Sequence, residues 1–262
     1  MSDFQTIEQN LRCAMKFFGG ATGSGDVRQL AGSEAIYSGL DYGVFNIALL
    51  DGPVTQADNG LEVRIAGAAR YFRDRTLRWS FWVCEDLLDH ATRKRVRQSF
   101  ADFGMWSISR PPGMFAPKLL PPSRPLPAIE CRRVSDKPLR QAFTEITSVA
   151  FEIPQTVAFA VYSQERAWRG DYQGYVGFVD GRPVAIVAVV VAGGAIGIYS
   201  LATLPIHRRR GYGEALLRAA VEDTRATTGI EPLVLQSTEA GYELYRRMGF
   251  HDATRFSVYL TK

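Results

Sequence analysis

The sequence predicts an α/β protein whose strands form a mixed sheet. Three observations predict it. In the C-terminal half, three strand-like runs at 172–179, 183–191 and 195–204 are separated by Asp180-Gly181 and Gly193-Gly194, both hairpin turn signals. A helix-period run at 213–228, ended by Gly229, then links the third strand to a buried strand at 232–236. A proline-rich stretch, Leu120-Pro121-Pro122-Ser123-Arg124-Pro125, precedes all of these and marks a boundary near residue 125.

Along the chain, Gly19 to Gly25 has no strong strand before it and no lysine where a nucleotide loop requires one, so it reads as a flexible surface loop. Residues 34–38 and 43–50 read as strands, 61–73 as a helix, 79–84 as a strand and 86–103 as a helix. Asn46, alone among apolar neighbours, is either a satisfied buried amide or a group that orients a substrate. The aromatics Tyr71, Phe72, Trp79, Trp82, Phe100, Phe103 and Trp106 are expected mainly in a core, with some free to wall an acceptor pocket. This alternation loosely echoes the second half of the C-terminal region, which suggests a duplication without a residue-level repeat.

After the linker, 128–134 alternates as a strand. Asp136 is placed to cap a helix reaching residue 151, with Leu139, Phe143, Ile146 and Val149 on one face. A second helix follows Pro154, and beyond residue 236 a helix at 240–248 stops at Gly249 before strand material at 250–260. The resulting order is β-α-α-β-β-β-α-β-α-β. The expected domains are 1–125, an α/β domain, and 126–262.

Composition narrows the function. Of 262 residues, 46% are hydrophobic and 22% charged, which is ordinary for a folded globular chain. A net charge of +4, with Arg208-Arg209-Arg210 as the longest basic run, is too modest for a nucleic-acid protein. Three scattered cysteines without C-x-x-C spacing argue against disulfides and structural zinc, and three histidines with no i, i+4 pair exclude H-E-x-x-H chemistry. No metal is expected. The first residues show no basic and apolar leader, and the longest apolar run, 183–199, is broken by Gly193-Gly194. A cytoplasmic protein with no membrane partner is expected; a homodimer is compatible with the sequence.

The chemistry concentrates in Leu201-Ala202-Thr203-Leu204-Pro205-Ile206-His207-Arg208-Arg209-Arg210-Gly211-Tyr212-Gly213-Glu214. A strand end, a basic link, two glycines and a helix start together build an anion site. The glycines let the backbone approach a ligand, the first helical N–H groups point at it, and arginine forks add charge. The alternative is a flexible turn with solvated arginines. Neither G-x-x-x-x-G-K-[ST] nor G-x-G-x-x-G is present.

These residues resemble the GCN5-related N-acetyltransferase (GNAT) family, whose [RQ]-x-x-G-x-[GA] turn is matched by Arg208, Gly211 and Gly213. Thr203-Leu204-Pro205-Ile206-His207-Arg208 also fits the approach to that turn, with Thr203 where valine is commoner. A second match, Leu244-Tyr245-Arg246-Arg247-Met248-Gly249-Phe250, looks like the family's L-Y-x-x-x-G-F signature. The resemblance covers 126–262 and implies a GNAT-like fold there, with a GNAT-like half as one reading of 1–125. It implies acetyl-CoA as co-substrate, held by Leu201, Ala202, Thr203, Arg208, Arg209, Arg210, Gly211, Tyr212, Gly213 and Glu214, and an amine acceptor attacking the thioester directly. It implies Tyr245 as the acid for the departing thiolate; apart from the motif, Tyr245 reads first as a core tyrosine beside Leu244 and Met248.

The general base stays open among Tyr199, Ser200, Glu152, Glu239, a water relay and a substrate that arrives deprotonated, since Gln236 cannot serve. Ser237 stands where many relatives carry asparagine, and His207 reads as a polar residue at the rim. A non-catalytic acetyl-CoA sensor and transfer of a different acyl group are the competing readings.

Overall fold

The computed structural model describes residues 1–55, 60–75 and 77–262. It opens with α1 (Asp3–Ala21), an element the sequence reading did not assign. Ile7, Leu11, Ala14 and Phe17 are buried at helical spacing along one face. The glycine-rich loop is therefore shorter than expected, because α1 runs through Gly19 and Gly20.

There follow β1 (Asp26–Leu30), β2 (Ser33–Tyr37), β3 (Ile47–Leu50), α2 (Gly60–Arg73), β4 (Ser80–Cys84) and α3 (His90–Asp102). Next come β5 (Met105–Ser109) and β6 (Pro112–Ala116). Pro112 begins β6, a position where a missing N–H is tolerated. Residues 121–129 are irregular, as their prolines require.

Beyond them lie β7 (Glu130–Arg133), α4 (Lys137–Phe151), α5 (Gln155–Tyr162), β8 (Tyr172–Val179), β9 (Arg182–Ala192) and β10 (Ala195–Thr203). The chain closes with α6 (Tyr212–Thr228), β11 (Leu233–Gln236), α7 (Glu239–Arg247) and β12 (His251–Thr261). Asp136 caps α4, its Oδ1 accepting from Leu139 N at 2.9 Å. Leu139, Phe143 and Ile146 are buried as expected, while Val149 is 53% exposed.

The chain forms two compact units, each made of two segments. The first is Met1–Phe17 with Met114–His251, and the second is Phe18–Gly113 with Asp252–Lys262. Most of the C-terminal strand β12 thus completes the unit built from the first half of the chain.

In the first unit β7, β8, β9 and β10 are antiparallel neighbours, β10 and β11 are parallel across α6, and β6 borders β11. A Cβ at Gly174 of β8 would meet Phe143 of α4, whereas one at Gly177 would approach Leu216 of α6. Residues three apart on a strand face opposite ways, so α4 and α6 cover opposite faces of this sheet.

The second unit repeats the pairing order. β1, β2 and β3 are antiparallel, β3 and β4 are parallel across α2, β12 pairs with β4, and β5 pairs with β12. Its core holds Phe72, Phe81 and Phe100, with Trp79 stacked on Phe72 at 4.9 Å. Trp106 and Phe103 are exposed instead. Asn46 is a satisfied buried amide: Oδ1 accepts from Ser38 N and Oγ, and Nδ2 donates to the carbonyls of Leu40 and Arg78.

Candidate active site

The first unit opens where β10 and β11 diverge. Their parallel register covers Ile196 with Leu233 and Gly197 with Val234. β10 nevertheless continues to Thr203, bonded on its other edge to β9 up to Thr203 opposite Ala185. The edge of β10 from Ile198 onward therefore presents backbone groups to a gap beside β11. A bulge lies within this stretch, where the register shifts between Tyr199 and Ala202 and Ser200 sits at φ 48°.

Asn10, on α1, holds the bulge in place from one side. It is fully buried, its Nδ2 lies within 3.1 Å of the carbonyls of Val190, Ala192 and Ala195, and its Oδ1 accepts from Tyr199 Oη at 2.7 Å. Gly197 leaves room for it, since a Cβ there would run into Asn10 Oδ1. On the other side, Tyr172 Oη and Ser200 Oγ share a hydrogen bond of 2.7 Å, and Phe17 stacks on Tyr172 at 4.1 Å.

Past Thr203 the chain makes a short 3₁₀ turn at Pro205–His207. Arg208 then folds back, its Nε donating to Thr203 O at 3.1 Å. Arg209 is left-handed at φ 62°, and Gly211 sits at φ 92°, a region where a side chain is strained. Gly211 is also the N-cap of α6 and has no side chain to offer its N–H groups. The exposed Arg208, Arg209 and Arg210 lie just before this uncapped end. Such an end attracts an anion through its free donors and dipole, so the strand gap and the turn together suit an extended ligand that ends in phosphate. Glu214 in the first turn is occupied by Arg218 at 2.8 Å, and Arg218 also donates to Leu120 O. His207 lies edge-on to Tyr212, with rings 6.2 Å apart and its Nδ1 buried without a partner among the described residues.

Tyr245, on α7, is 9% exposed and meets Phe250 edge-on at 5.7 Å. Its hydroxyl has no hydrogen-bond partner among the described residues, and burial pushes its pKa well above the ordinary tyrosine value. It therefore keeps its proton at neutral pH. Among the candidate bases, Tyr199 is also raised by burial and spends its proton on Asn10. Glu152 caps α4 in a left-handed conformation and is exposed, as is Glu239 at the start of α7. Gln236 has a buried Nε2 with no partner among the described residues. Among the described residues no cluster of three or more His, Cys, Asp or Glu could hold a metal, and no helix is long and apolar enough to cross a membrane.

The corresponding place in the second unit is shut. β3 and β4 pair in parallel through Leu49 and Trp82, and beyond their ends Val54 and Leu88 form a further parallel bridge. Val54 N donates to Leu87 O at 2.7 Å and Asp89 N to Val54 O at 3.0 Å. No Arg-x-x-Gly-x-Gly sequence follows β3.

Residues 139–250 match the family model described as the acetyltransferase (GNAT) family. This region is a GNAT domain. The matched family is one of acetyltransferases, so this region carries the fold of an acyl-transfer enzyme. No curated protein matches it. Among solved structures, a GCN5-related N-acetyltransferase from Kribbella flavida is similar at 19% identity and TM-score 0.73, over 100% of this chain and 96% of its own. One from Sphaerobacter thermophilus is 17% identical at TM-score 0.58, over 88% of this chain and 76% of its own. A tandem GNAT protein from the clavulanic acid biosynthesis pathway is 14% identical at TM-score 0.59, over 87% of this chain and 78% of its own. These likenesses carry the fold, and they extend it to both units.

Within the GNAT domain, the predicted residues Leu201, Ala202 and Thr203 form the end of β10, and Arg208 to Glu214 form the turn and first helical residues. Tyr245 comes from α7. Sequence reasoning missed Asn10, Tyr172 and Gly197. The signal for Asn10 was one amide inside an apolar helical face, next to Ile7, Leu11 and Ala14.

Proposed function

We propose that the chain moves an acetyl group from acetyl-CoA to a primary amine of a small molecule or peptide by direct attack. The observation that carries this reading is the gap beside β10 running toward the uncapped, arginine-flanked start of α6. Acetyl-CoA would supply the thioester carbonyl and the thiolate leaving group. The free edge of β10 at Leu201, Ala202 and Thr203 would bind the pantetheine arm through backbone groups, and one N–H there would donate to the thioester oxygen as it gains charge. Arg208, Arg209 and Arg210 and the N–H groups of Tyr212, Gly213 and Glu214 would hold the pyrophosphate, with Gly211 providing the left-handed turn.

Tyr245 would protonate the leaving sulfur from its neutral phenol. The residues first considered as bases are bonded elsewhere or exposed, which favours an amine that arrives neutral or loses its proton to water. Three free cysteines suit a reducing compartment such as the cytoplasm. The test combines thermal unfolding with acetyl-CoA and an assay for amine-dependent release of free thiol. Stabilisation with release is expected, and no stabilisation at millimolar acetyl-CoA would sink the reading.

A further inference from the structure

The second unit contains a cleft of about 240 Å³ with no part in the acyl-donor site. Its elements explain how it forms. On β12, Ser257 and Tyr259 point to the same face, and Ser107 of β5 lies directly opposite Tyr259. Tyr259 stacks on Phe100 of α3 with ring centroids 3.9 Å apart, which brings α3 over this ribbon. Arg93, Lys94 and Arg97, on one side of α3, then face Arg110 across the cleft.

The charge is unbalanced. Four cations line the cleft against one carboxylate, Glu85. That carboxylate is already satisfied, accepting from Arg110 Nε at 2.6 Å, Arg110 Nη2 at 2.7 Å and Ser257 Oγ at 2.7 Å. Arg110 holds Glu85 below the usual carboxylate range, so it remains ionised and fixes the guanidinium in place. Arg93 is fixed as well, by the carbonyl of Glu85 and by Asp86 at 3.0 Å. Lys94 and Arg97 have no carboxylate partner among the described residues. Two anchored arginines, two uncommitted cations and the Ser107 hydroxyl therefore converge on one concave space. Its volume is below the roughly 300–1,000 Å³ of pockets for drug-sized ligands.

We propose that this cleft binds the phosphate group of a small phosphate monoester, with Lys94 and Arg97 supplying the main attraction and Arg93 and Arg110 a rigid rim of donors. The occupant is a free small molecule, since the space is closed on one side by the β5–β12 ribbon and on the other by α3.

The test is an NMR titration of the full chain with inorganic phosphate and with glycerol 3-phosphate, against sodium chloride at matched ionic strength. Saturable amide shifts are expected at 93–97, 107–110 and 257–259, weakened at least fivefold in the Lys94→Gln, Arg97→Gln double variant. Both side chains are exposed, so an unchanged melting temperature confirms that the variant is folded. An Arg208→Ala variant should keep these shifts, which separates this cleft from the turn before α6. Equal shifts with chloride, or no loss in the double variant, overturns the proposal. So does binding to phosphatidylglycerol vesicles without binding to either soluble phosphate.

Discussion

The Tyr199 hydroxyl donates to Asn10 Oδ1 at 2.7 Å, tying a residue of the first helix to the strand that carries the bulge. Asn10→Ala would leave that hydroxyl and the carbonyls of Val190, Ala192 and Ala195 short of partners in a dry interior. A loss of about 2–3 kcal/mol is expected in urea unfolding, against about 1 kcal/mol for Tyr199→Phe. Equal losses would show that the amide's bonds to the three carbonyls add nothing.

Tyr245→Phe keeps the ring contact with Phe250 and removes only the proton. It should lower kcat by about 10²-fold with acetyl-CoA affinity unchanged, measured by steady-state kinetics and titration calorimetry. An unchanged kcat removes the acid role from Tyr245.

Gly211 and Gly213 should respond differently to alanine. At Gly211, φ is 92° and a Cβ would come 2.9 Å from Pro127 Cδ, so Gly211→Ala is expected to cost about 1–2 kcal/mol and weaken acetyl-CoA binding at least tenfold. At Gly213 a Cβ would meet only Thr203 Oγ1, at 3.0 Å, which can rotate. Affinity there should change about threefold or less by the same calorimetry, since one movable side chain absorbs the contact.

Stoichiometry follows from the contrast between the two parallel strand pairs. β10 and β11 part after Gly197, whereas Val54 and Leu88 bridge the space beyond β3 and β4. One acetyl-CoA per chain is expected by calorimetry, and two equivalents would mean that the bridge opens.

Alkaline stability should reflect the buried tyrosines, three of them most strongly. Burial raises Tyr172, Tyr199 and Tyr245 well above the ordinary value of 10. The folded state thus holds these protons more tightly than the unfolded state. Their contribution is complete below pH 10 and is lost as pH rises toward the folded values, at about 1.4 kcal/mol per pH unit for each group. Urea midpoints at pH 8, 10 and 11 check the sign.

What the sequence disclosed was local. Asp136 before an amphipathic run, Asp180-Gly181 between strands and the arginine-glycine turn each act within a few residues, and each lies where it was read. The gap beside β10 was not legible, because it depends on where pairing with a strand more than thirty residues onward stops. α1 was not legible, although Ile7, Leu11 and Ala14 follow its period, because Gly19 and Gly20 have low helix propensity and read as a loop. The place of β12 was hidden for another reason: an alternating strand encodes which faces are apolar and says nothing about which edge it joins.

That last strand also governs the order of assembly. Trp79 and Thr261 are bonded although 182 residues separate them, and β12 lies between β4 and β5. Strands β1 to β5 therefore emerge from the ribosome with the space between β4 and β5 unfilled. They must wait through the synthesis of nearly the whole GNAT domain before β12 can close their sheet. During that interval two strand edges stand open with unpaired N–H and C=O groups, and chaperone capture of the nascent chain should concentrate there.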